Sequence, residues 1–202
     1  MSTANDSIFA IRGRLGDVQG NRWKDGDILR ELGAAVTRAL GIVKRCDLDY
    51  GKARFEIALA AGEDGFDLPG DFAGVVGLYR DRRRITLKSV EELETGHADP
   101  FAPVWAVDGL RGWLRPPGKR DATLILRYWR LPAPLKQPAD PMPWGGVFDP
   151  ALEEYARIRL ANADEMDASQ DLQLLKDLEN SMLTLAISRN PARREMRGWL
   201  GW

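Results

Sequence analysis

Two periods run through the apolar positions of this chain. Toward both ends they recur every three to four residues, and between about residue 53 and residue 131 they recur every second residue. The first spacing belongs to a helix with one buried face, the second to a strand with one buried face. From Asp27, the expected cap, Ile28, Leu32, Ala35, Val36, Ala39 and Val43 hold one helical face, with Gly41 as the expected end. A shorter helix is predicted over residues 7–16, capped by Ser7, with Ile8, Ile11 and Leu15 on one side and Gly16 as its stop. The strongest helical signal lies between Asp149 and Pro191. There Asp149 reads as the cap and Pro150 as the first helical position, and Leu152, Tyr155, Ala156, Leu160 and Ala163 share a face with Ile158 at its edge. A polar joint (Asp164, Glu165, Asp167) leads to a second cap, Ser169. Leu172, Leu175, Leu178, Met182, Leu185 and Ala186 then repeat the pattern until Asn190-Pro191. So short a joint makes the two helices antiparallel neighbours.

The middle of the chain reads as strands. Phe55, Ile57 and Leu59 alternate with Arg54, Glu56 and Ala58 before a turn at residues 62–65. A run from Val75 to Arg80, a basic tip, and a return strand with Ile85, Leu87 and Val90 on one face follow. Residues 104–107 and 110–114 are predicted as a hairpin around Asp108-Gly109, whose positive φ angles suit a type I′ turn. After Pro116-Pro117-Gly118, a strand from Thr123 places Leu124, Leu126, Tyr128 and Arg130 on one face, and Ile125, Arg127 and Trp129 on the other. Residues 132–148 contain five of the twelve prolines and read as a stiff return. The expected fold class is α+β, a helical bundle built from N-terminal and C-terminal helices with an inserted antiparallel β domain. Its boundaries are 1–48 and 145–190 for a discontinuous helical domain, 49–144 for the β domain with its proline-rich return, and 191–202 for a C-terminal tail.

Composition narrows the chemistry. The 202 residues carry 29 basic and 30 acidic side chains, a net charge of −1, so no global field marks a nucleic-acid or membrane binder. Cys46 is the only cysteine, which excludes an internal disulfide, and one His with one Cys cannot supply the usual zinc ligands. There is no apolar run of about 20 residues and no signal-peptide pattern at the N-terminus, so synthesis in a reducing cytoplasm and no membrane partner are expected. His97 reads as an exposed loop residue and Cys46 as a small half-buried residue after a helix. Carboxylate pairs such as Asp47 with Asp49, or Glu63 with Asp64, read as turn residues. No glycine-rich loop opens a helix to hold a phosphate. Nothing argues for an enzyme, a cofactor or a metal. Two patches remain. Arg80, Arg82, Arg83 and Arg84 crowd one hairpin tip, where they would meet phosphates or an acidic surface, or simply blunt a sheet edge. The tail sets Trp199, Leu200 and Trp202 behind Arg193, Arg194 and Arg197, residue types enriched at interface hot spots.

Several stretches resemble a known family. Arg14-Leu15-Gly16-Asp17, Asn21-Arg22-Trp23-Lys24-Asp25 and Asp27-Ile28-Leu29 opening a helix are similar to the N-terminal pattern of bacteriophage head-tail adaptor (connector) proteins, the tail tubular protein A or gatekeeper-like group. Leu68-Pro69-Gly70-Asp71-Phe72 resembles that family's Leu-Pro-x-Asp-Phe element. The Trp105 to Trp113 hairpin, Pro116-Pro117, Tyr128-Trp129-Arg130 and the proline-rich return follow its order. The first long helix departs from it, having Gly33-Ala34-Ala35 where the family carries Asn and Asp. The resemblance implies a structural virion protein of the neck or tail, assembled as a twelvefold ring beneath the portal and continuing the DNA channel. Its partners would be the portal protein, further copies of itself, the next tail component (nozzle, or tail tube or terminator) and DNA passing without sequence recognition. The helical part and residues 191–202 would dock on the portal; the arginine tip would meet a neighbouring subunit, the tail or DNA. The alternatives are a virion-associated hydrolase and a basic-tipped nucleic-acid-binding protein.

Overall fold

A computed structural model describes residues 2–96, 99, 101–162 and 168–189. Its elements are, in chain order, α1 (Ala4–Leu15), α2 (Asp25–Arg45), β1 (Lys52–Leu59), β2 (Gly65–Asp67), β3 (Phe72–Arg80), β4 (Arg83–Leu87), α3 (Val90–Thr95), β5 (Val104–Asp108), β6 (Arg111–Arg115), β7 (Ala122–Arg130), α4 (Asp149–Ala161) and α5 (Ala168–Arg189). They fall into two compact units, one of Met1–Tyr50 with Pro132–Trp202 and one of Gly51–Leu131.

In the helical unit α4 touches α1, α2 and α5. Its inner face is Ala151, Leu152, Tyr155, Ala156 and Leu160, all buried. On α2 all six predicted face residues are buried, joined by Leu29 and Ile42. Asp171, at the start of α5, collects Arg38 of α2 at 2.7 Å, Arg159 of α4 at 3.2 Å and the Tyr155 hydroxyl at 3.5 Å. That knot ties the end of α4 to the start of α5. The loop between α1 and α2 winds around the Asp17 carboxylate, which accepts the amides of Asn21 (2.9 Å), Arg22 (3.2 Å) and Trp23 (2.9 Å). These bonds, that from Trp23 foremost, hold its pKa below the usual value.

Helix boundaries differ from expectation where caps were read. α1 starts one turn before Ser7, because Asp6 accepts both the amide (2.8 Å) and the hydroxyl (2.9 Å) of Thr3. Ser7 is inside the helix, buried, donating to Glu153 at 2.9 Å. α2 starts at Asp25 with Asp27 reaching back to the Lys24 amide, and it runs through Gly41 because Ile42 and Val43 are still in the core. Asp149 is the first helical residue rather than the cap, and Pro150 is the second. On α5 the buried stripe is Leu174, Leu178, Met182 and Ala186. Leu172 is 61% exposed and Leu175 and Leu185 are half-buried, since a four-residue ridge covers less of the helix than the leucine count allows for. Ala163 and the joint at 164–167 lie outside the described residues. The proline-rich return is held by the N-terminus: Ala4 donates to the Asp140 carbonyl (2.8 Å), Asn5 to Pro138 (2.7 Å), and Met142 to Ser2 (3.0 Å).

The second unit is a seven-stranded, nearly closed sheet among the described residues, in the order β1-β7-β3-β4-β5-β6-β2. It is not wholly antiparallel. β4 and β5 run parallel through Thr86–Val104 and Leu87–Trp105, and α3 lies on the crossover that such a pair needs. The core is Ile57, Leu59, Phe66, Leu78, Ile85, Trp105, Leu114, Leu124, Leu126 and Tyr128, with Leu68 of the Leu-Pro-x-Asp-Phe stretch. Asp71 of that stretch accepts the Tyr128 hydroxyl at 2.9 Å and the Arg130 guanidinium at 2.7 Å, fastening the end of β7. Phe55 shares a face with Ile57 and Leu59 yet is 40% exposed, on a strand that pairs with β7 alone. The β5–β6 turn is displaced by one residue from expectation. Asp108 pairs with Arg111, and of the loop residues Gly109 alone takes positive φ (57°), the condition a type II′ turn meets and a type I′ turn does not.

Candidate functional site

The β3–β4 hairpin closes with Arg80 opposite Arg83, leaving Asp81 and Arg82 as the loop at φ 48° and 66°. Two positive φ angles make this a type I′ turn, whose second position glycine fills at least cost. Arginine there costs on the order of 1 kcal/mol in backbone strain. The charges divide by direction. Arg84 turns back, donating to the Val76 carbonyl at 3.0 Å, and Arg80 lies 3.9 Å from Asp81. A Cβ on Gly118 would stand 3.5 Å from Arg80 Nη1, so the loop bearing exposed Lys119 and Arg120 lies beside the hairpin. Arg82 and Arg83 are exposed and in no ion pair among the described residues. All four arginines singled out in the sequence thus share one hairpin end, and two of them are exposed without an ion-pair partner among the described residues.

Of the other residues singled out, Arg193, Arg194, Arg197, Trp199, Leu200 and Trp202 lie outside the described residues, as does His97. Cys46 is half-buried at the end of α2, its Sγ 3.6 Å from Glu179. Burial, then the Glu179 charge, pushes its pKa up, so the thiol stays protonated and is a poor nucleophile. Among the described residues no group of three or more metal-ligating side chains forms a metal site. No described helix is long and apolar enough to cross a membrane.

Two buried carboxyl groups were not anticipated. Asp149 and Glu153 lie one turn apart on α4, both buried. Glu153 accepts Ser7 Oγ at 2.9 Å and Arg14 at 3.2 Å, whereas Asp149 Oδ1 has no partner. Burial raises the pKa of each; nearby Asp6 raises both further. Neither lines a described cavity, and their neighbours on α1 give them a structural setting.

A cavity of about 270 Å³ lies between α3 and the β5–β6 hairpin. Val90, Leu93, Trp113 and Leu114 wall it, and its lining also includes the acidic residues Asp64, Glu94 and Asp108 and the basic Arg115. Arg115 closes one side by donating to the carbonyls of Leu93 (2.8 Å) and Glu94 (3.1 Å). The Arg111 guanidinium sits 4.6 Å from the Trp113 ring centre. A more open hollow of about 390 Å³ beside Leu59 and Thr123 differs in kind. Its carboxylates, Glu63 and Asp121, already accept the amides of Ala60 (3.0 Å) and Ala61 (2.9 Å). Asp64 and Asp108 had read only as turn residues; the crossover from β4 to β5, which carries α3, is what brings Glu94 to the same cavity.

Comparison with known proteins adds one finding. A family model described as SU10 adaptor protein matches residues 2–198, nearly the whole chain. Comparison with curated proteins gave no match.

Proposed function

Because the chain belongs to the SU10 adaptor protein family, whose members are phage head-tail adaptors, we propose that it forms a ring beneath the capsid portal. A structural virion role in association with other head and tail components follows from the family itself. The finer reading is a dodecamer of the tail tubular protein A or gatekeeper type, whose lumen continues the DNA channel. In this reading the helices gathered from residues 1–48 and 145–190 form the portal-docking bundle, and the β domain inserted between them receives the next tail component. Residues 191–202 enter a portal groove through Trp199, Leu200 and Trp202, with Arg193, Arg194 and Arg197 pairing at its rim. The Arg80, Arg82, Arg83 and Arg84 tip serves assembly.

The observation that carries this is the extent of the family match, which spans both units. Supporting it, the only cysteine is held protonated and the buried Glu153 carboxyl is engaged by Ser7 and Arg14. The test is light scattering on a sizing column, with the protein alone and with its candidate portal ring. The expected result is a ring-sized complex with the portal, lost or weakened when residues 191–202 are deleted. A wild-type chain that stays free beside the portal overturns the adaptor reading. Unchanged affinity after the deletion overturns the role given to residues 191–202.

A further inference from the structure

Resting on the ring reading above, we infer that the β3–β4 tip of one copy enters the acid-lined cavity beside α3 of the next copy, with Arg82 as the inserted side chain and Arg83 at the rim. Three observations converge on it. The charges are complementary and unspent: Arg82 and Arg83 are exposed cations, Asp64, Glu94 and Asp108 are exposed carboxylates, and none of the five is in an ion pair among the described residues. The cavity suits a side chain. About 270 Å³ falls below the usual range for a drug-sized ligand, roughly 300–1,000 Å³. Its apolar wall can take the methylene stem of an arginine while the carboxylates take the guanidinium. Trp113 already has one guanidinium, that of Arg111, against its ring.

The third observation is position. β4 leads away from the turn at 81–82, and β5 continues in the same direction from Val104 beside Thr86. At about 3.3 Å per residue, Asp108 lies on the order of 20 Å along the strands from Arg83. The near wall of the cavity, Arg115, is level with Thr86, about 10 Å along the strands from Arg83, and the closed two-residue turn points away from it, so the tip reaches such a cavity only in another copy. Two different patches meeting in this way make a head-to-tail contact, which closes into a ring when the rotation allows. The strain at Arg82 fits the same account, since a glycine would relieve it and lose the inserted side chain.

The test uses the full-length protein with its portal ring and four exposed positions. Arg82→Glu with Arg83→Glu, and separately Glu94→Lys with Asp108→Lys, are each expected to raise the half-assembly concentration about tenfold or more. Combining all four in one chain is expected to restore most of it. The inference is overturned if the tip variant assembles like wild type, if the combined chain is as defective as either half, or if tip reversal costs only DNA retention. A second measurement does not depend on the portal. In a Cys46→Ser background, Arg82→Cys copies are mixed at high concentration with Glu94→Cys copies and oxidised. Covalent dimers in the mixture and in neither protein alone support the contact; their absence overturns it. Wild type that ignores the portal removes the adaptor reading, while the cross-link still decides the copy-to-copy contact.

Discussion

Asp149 and Glu153 are the residues with the least comfortable surroundings in the helical unit. Burial is the leading cause that raises both above their ordinary values of 3.8 and 4.5. A carboxyl raised on folding binds protons more tightly in the folded chain. Stability from these two groups is therefore full below the ordinary range and falls as pH climbs from about 4 through the raised values. Asp149→Asn is expected to be more stable than wild type at neutral pH, with the gap closing toward pH 3, measured as urea midpoints across pH. A gap independent of pH would mean the carboxylate is not the destabilising species. Asp71 is well partnered, holding a buried hydroxyl and a guanidinium. Tyr128 is raised in pKa by its burial and then by that acceptor. Asp71→Ala leaves the hydroxyl without a partner and is expected to cost about 1–3 kcal/mol in urea denaturation. The added cost of Tyr128→Phe should be much smaller in that background than in wild type, because the two groups share one interaction.

At the scale of elements, the β3–β4 turn sets stability against the proposed copy-to-copy contact. Arg82→Gly gives the Asp-Gly pair that a type I′ turn favours, and is expected to raise stability by about 0.5–1 kcal/mol. Ring assembly should weaken in the same variant; thermal melts and light scattering on one preparation check both. Asp171 joins three helices through partly exposed groups, so Asp171→Ala is expected to cost about 1–2 kcal/mol, with guanidinium unfolding as the readout. Faces of helices were readable because apolar spacing along one element settles them, as on α2 and α4. Caps were not, since Thr3 with Asp6 competed with Ser7 and won by reciprocal bonding. The parallel β4–β5 pair left no local mark either, because a crossover is fixed by where β5 docks and not by the alternation inside it. Asp17 and Asp71 show what the resemblance rested on. Both are short carboxylates that organise backbone or strand ends, one in the first interhelical loop and the other at the end of β7.

For the whole molecule, the basic half of the proposed contact was legible because four arginines lie within five residues of sequence. The acidic half was not, since positions 64, 94 and 108 become neighbours only after the sheet forms. A contact between unpaired surface charges is screened by salt, so assembly through it should weaken steeply between low ionic strength and about 0.5 M, where the Debye length is a few ångströms. The portal docking proposed for Trp199, Leu200 and Trp202 should respond far less, and light scattering across salt concentrations separates the two. The way the sheet unit leaves and rejoins the chain has a further consequence. Lys52 pairs with Trp129 across β1 and β7, so the two ends of Gly51–Leu131 lie about one interstrand spacing apart, roughly 5 Å. A segment entered and left at one point behaves as a cassette. Residues 51–131 made alone should give a folded sheet by circular dichroism, and a two- or three-glycine bridge from Tyr50 to Pro132 should leave the helices able to fold without it. A lineage could then exchange one module while keeping the other.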